Sequence, residues 1–407
     1  MIRWFAYILV LLGLAASLRA EPQYSVIFGQ NCFLCHVNPT GGGMRSSYGS
    51  QFFAPEYLPK WTLSDSVLAK VKPQLSSSVS IGADIRTIWM SESKPFETDP
   101  STGLSKPFST NTGTNALMQG NLYFAFQPTD RLSFQYTHDL VNASRFEAFG
   151  SAHVLPLHGY VKVGQFRENY GWNLSDHTAF VRTGLWEGYD GNPYGSPTPP
   201  NYGVGAEIGF LPQPFNVTAS FSDAAGQTPG PMDVQKHWTA RAMVQKGIPG
   251  LNLEFSAGGS YMHAPPMGGD STKQRRWGGF GGIGWQGMPG IMGCNAGFGF
   301  LTSALMFEYD RKAWQPLSQS SPVTSAYATA QLSTMIQPGI WLLGAYDWLD
   351  NSGLKDGNEA ERTSLGVQFF PWPWVDITPM YRLYTPSPVA GPARNIRHVE
   401  VQAHFLF

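Results

Sequence analysis

The chain has 407 residues, with 27 Lys and Arg against 28 Asp and Glu, a net charge of -1 and only 14% charged residues. So balanced a composition excludes a nucleic-acid partner, which calls for a basic surface. Aromatic residues supply 14% of the chain and Gly 45 positions, yet hydrophobic residues reach only 42% and mean hydropathy is -0.18, a mixture suited to strands with one apolar and one polar face.

Residues 1–20 read as a signal peptide. Arg3 gives a positive start, Trp4 to Ala16 an apolar run, and small residues lead to cleavage after Ala20. The run is short for a membrane helix, and nothing later offers about 18 uninterrupted apolar residues. Insertion into a membrane must therefore use strands.

Residues 21–60 carry the strongest chemical signal, Cys32-Phe33-Leu34-Cys35-His36. In an exported chain this spacing predicts covalent attachment of one haem c: the two thiols form thioethers with the vinyl groups and His36 becomes an iron ligand. A zinc site would need four ligands, and the only other cysteine, Cys294, lies far along the chain among strands. A redox disulfide would sit in a thioredoxin-like strand-helix pattern, and none surrounds it. After the motif come a turn-rich loop through Gly41-Gly42-Gly43 and a short helix within Met44–Phe53. A segment this short cannot build a core alone, so it is expected to fold around its haem and lean on the rest of the chain.

For the second axial ligand the sequence offers Met44, just past the Gly run, since Met/His ligation raises the haem potential. His153 and His404, on inward strand faces, are the alternatives.

After a linker over 61–73, residues 74–407 alternate with period two. Leu122, Phe124 and Phe126 alternate with Asn121, Tyr123 and Gln127; Leu132, Phe134 and Tyr136 with Ser133, Gln135 and Thr137. Leu251, Leu253 and Phe255 alternate with Asn252, Glu254 and Ser256. Val399, Val401, Ala403, Phe405 and Phe407 alternate with His398, Glu400, Gln402 and His404. About sixteen such segments are centred near residues 82, 121, 135, 149, 163, 206, 219, 241, 257, 280, 301, 328, 344, 365, 379 and 402.

Their connections alternate in length: short turns near 127–130, 155–158, 211–214, 247–250, 337–339 and 371–373, long loops near 91–114, 168–201, 225–236, 264–274, 310–321, 350–360 and 385–395. That pattern predicts an all-β fold, a transmembrane outer-membrane barrel of a Gram-negative bacterium with its outer face in lipid and both chain ends in the periplasm. The terminal Phe407 resembles the end signal of such barrels. A soluble sandwich or propeller would also alternate, but explains neither the loop lengths nor the terminal aromatic.

An exported chain with one CxxCH at its mature start, joined to a porin-like barrel ending in Phe, resembles the fused monohaem cytochrome-porin family of outer-membrane iron oxidases. Cys32, Cys35, His36, Pro39, Tyr48-Gly49 and Phe52 carry the local likeness. The chain departs in its Gly41–Gly43 run and in lacking the family's Phe-Ala-Arg lead-in. Val161–Phe166 is similar to a strand of phosphate-selective porins.

The family resemblance implies outer-sphere oxidation of extracellular ferrous iron, with electrons passed to a periplasmic c-type cytochrome. With no second haem motif, electron exchange across a lipid-facing band about 25 Å tall needs the haem segment inside the lumen as a plug. For iron the sequence offers the loop with Asp350, Asp356, Glu359 and Glu361, and the inward Asp84, Glu147 and Glu400 with Arg86 and Arg145 as partners. Catalytic residues are not identified: no nucleophile-base arrangement, phosphate loop or metalloprotease signature appears. A diffusion porin with a structural or sensing haem, or outward electron transfer to extracellular acceptors, are the competing readings.

Overall fold

The computed structural model describes residues 22–68, 70–98, 105–141, 146–172, 179–181, 202–223, 236–248, 250–264, 274–287, 301–314, 320–350, 359–385 and 396–406. The signal-peptide expectation, Phe407, Arg145, Asp356 and Cys294 lie outside them.

Among the described residues a short helix α1 (Pro22–Phe28) precedes the cysteine motif, and sixteen strands follow. They are β1 (Val79–Thr98), β2 (Ser105–Thr129), β3 (Leu132–Asp139), β4 (Phe146–Leu155), β5 (Gly159–Arg167), β6 (Tyr202–Phe210), β7 (Phe215–Asp223) and β8 (Lys236–Ile248), then β9 (Leu253–Ala264), β10 (Gln274–Trp285), β11 (Ser303–Trp314), β12 (Val323–Gln337), β13 (Ile340–Asp350), β14 (Glu359–Trp372), β15 (Val375–Thr385) and β16 (Ile396–Leu406). Each pairs antiparallel with its sequence neighbours, and β16 closes on β1 from Asp84↔Leu406 to Ser93↔Arg397. The sheet is a closed barrel, so no edge strand is left unpaired.

The alternation decides which face looks outward. Leu122, Phe124, Phe134, Leu365, Val399 and Phe405 stand exposed on the outside, whereas Ser133, Gln135, Thr239, Arg241, Glu400 and Gln402 are buried within. An apolar outer band around a polar lumen is the membrane-barrel arrangement. The short turns, including those at Asp130–Arg131, Pro338–Gly339 and Pro373–Trp374, fall at the end where β1 begins and β16 finishes.

Two expectations need correction. Residues 91–114 are not simply a loop, because β1 and β2 stay paired out to Thr98↔Ser105 as a hairpin reaching past the pairing with β16. The strand expected near residue 301 begins at Ser303 and runs to Trp314, taking the start of the expected 310–321 loop with it.

The main hydrophobic cluster lies inside the barrel. Val26, Ile27, Met44, Phe53, Ala54 and Leu58 of the N-terminal segment pack with Met243, Phe280, Met306, Met335, Trp341 and Phe370 of the inner wall. Wall side chains also bond the α1 backbone: Gln245 Nε2 donates to the Ser25 carbonyl at 2.8 Å and Gln286 Nε2 to that of Ile27 at 3.1 Å. A helix end has unsatisfied carbonyls, and here the barrel supplies donors to them. Further along, Lys60 N donates to the Phe370 carbonyl at 2.7 Å. Beyond it Gln74 bridges to Ser80, leading directly into β1.

Candidate functional site: the lumen cavity at the cysteine motif

A single 3-10 turn, Cys32–Leu34, shapes the motif. Cys35 N and His36 N both donate to the Cys32 carbonyl, at 3.2 and 3.1 Å, which folds the two thiols and the imidazole toward one another. The following loop clamps this turn from behind. Ser46 N donates to the Cys35 carbonyl at 2.9 Å and Ser46 Oγ to that of Leu34 at 2.7 Å. Gly49 is required there, since a Cβ would run into the Cys35 carbonyl oxygen.

Cys32, Cys35 and His36 all line one cavity between the N-terminal segment and the lumen wall. The segment contributes Tyr24, Ser25, Asn31, Pro39, Thr40, Gly41, Gly42 and Arg45; the wall contributes Asn216, Arg241 and Met243. The rest of the lining includes Asn169, Gly171 and Trp172, from the chain that leaves β5. That stretch, expected as part of an outer loop, instead turns inward. Tyr170 Oη donates to Asp310 at 2.9 Å, Trp172 N to Glu308 at 2.9 Å, and Trp172 Nε1 to the Gly281 carbonyl at 3.0 Å. Further along it, Phe180 N donates to Asp347 at 3.2 Å. The cavity is thus bounded by α1 on the side of the short turns and by this loop on the side of the long ones.

Its chemistry fits a covalently held haem. Both cysteines are free thiols, and burial raises both pKa values, that of Cys35 to about 11. Burial, with the nearby Arg45 charge, lowers the His36 pKa to about 4, so the imidazole is neutral, the form that binds a metal. Its Nδ1 is buried without a hydrogen-bond partner. Arg45 and Arg241 bring positive charge to a cavity that would receive the two carboxylates of a haem.

The other candidates are placed differently. Met44 is buried in the hydrophobic cluster with its carbonyl bonded to Val37 N at 3.0 Å, and it does not line the cavity. His153 faces inward beside Phe33 and Tyr160, ring centroids 6.4 and 5.7 Å away, also outside the lining. His404 is buried and paired with Asp84. Met243 was missed. The signal for it was faint: an apolar residue on the inward, polar stripe of β8, between Arg241 and Gln245.

The acidic candidates do not gather at the cavity, although Asp350 and Glu359 face each other in register across β13 and β14. Asp84 serves His404 with the Arg86 charge close by, Glu400 pairs with Arg382 at 2.8 Å, and Glu147 accepts from the Arg167 backbone at 2.8 Å. Glu359 and Glu361 lie exposed on β14, on the face opposite the buried Ala360 and Arg362. Among the described residues no group of three or more His, Cys, Asp or Glu side chains could hold a metal ion.

The chain has the fold of a porin. It is similar to OprB of Pseudomonas putida, at 10% identity over 86% of this chain and 99% of that one, with a TM-score of 0.57. It is also similar to OmpT of Vibrio cholerae, at 11% identity over 83% of this chain and 100% of that one, with a TM-score of 0.51. No family model and no curated protein matches the sequence.

Proposed function

We propose that this protein is an outer-membrane cytochrome-porin that carries electrons through the barrel by one covalent haem c, with residues 22–60 seated in the lumen as a plug. The observation that carries the reading is that Cys32, Cys35 and His36 together line one cavity in the lumen. When bound, the haem supplies a one-electron carrier within the membrane-spanning barrel.

The chain's own residues do the rest. Cys32 and Cys35 hold the group by thioethers, each thiol adding S–H across a vinyl double bond with no oxidant consumed. His36 ligates the iron. Arg45 and Arg241 offset the charge of its carboxylates. The inward loop at Gly171 and Trp172 covers the cavity on the side of the long loops and limits water there.

Extracellular ferrous iron is the proposed electron donor. Each ion loses one electron, the ferric product stays outside, and a periplasmic c-type cytochrome takes the electron from the short-turn side. Outer-sphere transfer of this kind requires no iron-coordinating cluster. A diffusion porin, in which the haem is structural or sensing, is the second reading. Its support is the charge-lined lumen and the fold shared with OprB and OmpT.

Outer-membrane vesicles of known orientation decide between them. Ferrous iron added anaerobically outside should bring up the sharp reduced c-type band rapidly. If dithionite gives the band and ferrous iron does not, iron oxidation is wrong, and outward transfer or the porin reading stands. With no band under either reductant, the assignment of Cys32, Cys35 and His36 to haem fails.

A further inference from the structure

Arg241 and Met243 point inward from β8, two positions apart, and both line the cavity that contains the cysteine motif. The Met243 side chain is buried, and its sulfur accepts a hydrogen bond from Arg241 Nη2 at 3.4 Å. Arg241 is fixed in turn: Nε donates to the Gly171 carbonyl at 2.9 Å, and the guanidinium carbon lies 4.6 Å from the centroid of Phe280. A flexible thioether is thereby held in one place, on the wall of a site built from another part of the chain.

A haem iron ligated by one imidazole accepts a second axial donor, and His or Met are common choices. Among the described residues lining the cavity, the imidazole and sulfur donors are His36, the Cys32 and Cys35 thiols, and the Met243 thioether; Tyr24 also lines it, as a hard oxygen donor. The thiols are consumed by attachment. Among the described residues no second histidine lines the cavity, and Met44 is not part of its lining. We propose that Met243 of the barrel wall is the second axial ligand, and that Arg241 is a positioning residue for its sulfur. This assignment rests on the haem reading above.

Such a ligand has two consequences. The redox centre is completed only when the N-terminal segment is seated in the barrel, so ligation joins the two parts of the chain. Met/His ligation raises the haem potential, and a guanidinium held against the sulfur favours ferrous over ferric iron in the same direction. Both effects suit an electron acceptor for ferrous iron.

The test is the far-red spectrum of the purified ferric protein, where a thioether bound to ferric iron gives a weak charge-transfer band, together with a potentiometric titration. Intact mass reports covalent haem separately. Wild type should show the band. Met243→Leu should lose it and titrate at lower potential, with haem content unchanged. Met243→His should replace the band by the near-infrared signature of two imidazoles, which decides the matter if the Leu variant folds poorly. Met44→Leu should change neither spectrum nor potential. Arg241→Gln should keep the band while lowering the potential.

A band that survives Met243→Leu, or vanishes in Met44→Leu, overturns the proposal. So does a wild-type protein whose mass includes the haem but whose ferric spectrum lacks the band. A chain whose mass lacks the haem overturns the haem reading and this assignment together.

Discussion

Gly41 packs directly behind the cysteine motif. Its φ of +87° is in the left-handed region, and a Cβ there would sit 2.8 Å from Cys32 Cβ and 3.2 Å from its sulfur. Gly42 shares the backbone strain, at φ +75°, but has nothing within 4 Å of an added Cβ. Alanine costs about 1–2 kcal/mol of backbone strain at either position, and only at Gly41 does it also push Cys32 aside. Gly41→Ala should therefore reduce the fraction of chains carrying covalent haem well below that of Gly42→Ala, as read by intact mass; equal yields would remove the steric argument. On the wall, Lys162 Nζ meets Glu207 at 2.7 Å with both side chains fully buried, and Tyr160 donates to the same carboxylate at 2.8 Å. Lys162→Met would leave that carboxylate without its counter-charge, at a cost of about 3–5 kcal/mol. Adding Glu207→Leu should recover most of the loss in urea unfolding of the reconstituted barrel. No recovery would mean that the lumen solvates Glu207 by itself. The pair also bears on the likeness of Val161–Phe166 to a phosphate-selective strand, since the lysine in that stretch is committed to a carboxylate.

At the scale of elements, α1 and β10 fit because β10 is bare. A Cβ on Gly284 would collide with the Val26 carbonyl oxygen, and one on Gly282 would press Val26 and Trp172 at 3.0 and 3.2 Å. Gly284→Val should unseat the helix while the strand, whose backbone pairing needs no particular side chain, stays in the sheet. The expected result is protease cleavage within residues 22–60 of a barrel that still migrates as folded on an unheated gel. A protected segment would show that α1 can shift without leaving. The strands were legible because lipid outside and polar lumen inside impose a period of two on every crossing. Where the pattern is broken, the reading slipped. The strand expected around residue 301 pairs with β12 only from Ser303 onward. The β1–β2 hairpin past the β16 pairing carries Ser, Thr, Lys and Asn, a composition shared with loops. The inward turn of Tyr170 and Trp172 left no trace, because its partners Asp310, Glu308 and Gly281 lie on strands much further along the chain. Likewise the cysteine motif stands out in the sequence, whereas the wall residues facing it could be found only once the barrel had brought β8 round to it.

Taken whole, the molecule separates wall from contents. The wall is complete from Val79 to Leu406, since β1 and β16 close it without help from anything earlier in the chain. A barrel of about sixteen strands leaves a lumen wide enough for an aqueous channel unless something fills it. On the proposed arrangement the filling comes from two sources, the N-terminal segment near the short turns and the loop at residues 168–172 and 179–181 above it. These make separable contributions to conductance in a planar bilayer. Removing residues 22–73 should leave a folded barrel, lose the haem band, and raise single-channel conductance severalfold over the full chain, because the polar wall would then face water along most of its length. Trp172→Ala loosens the loop by removing the Nε1 bonds to the Gly281 and Phe307 carbonyls at 3.0 and 3.2 Å. In the full chain it should raise conductance less, since the segment still fills the short-turn end; in the truncated chain it should add a further increase. If truncation leaves conductance unchanged and Trp172→Ala alone opens the pore, the loop is the barrier, and the N-terminal segment holds the haem without plugging the channel.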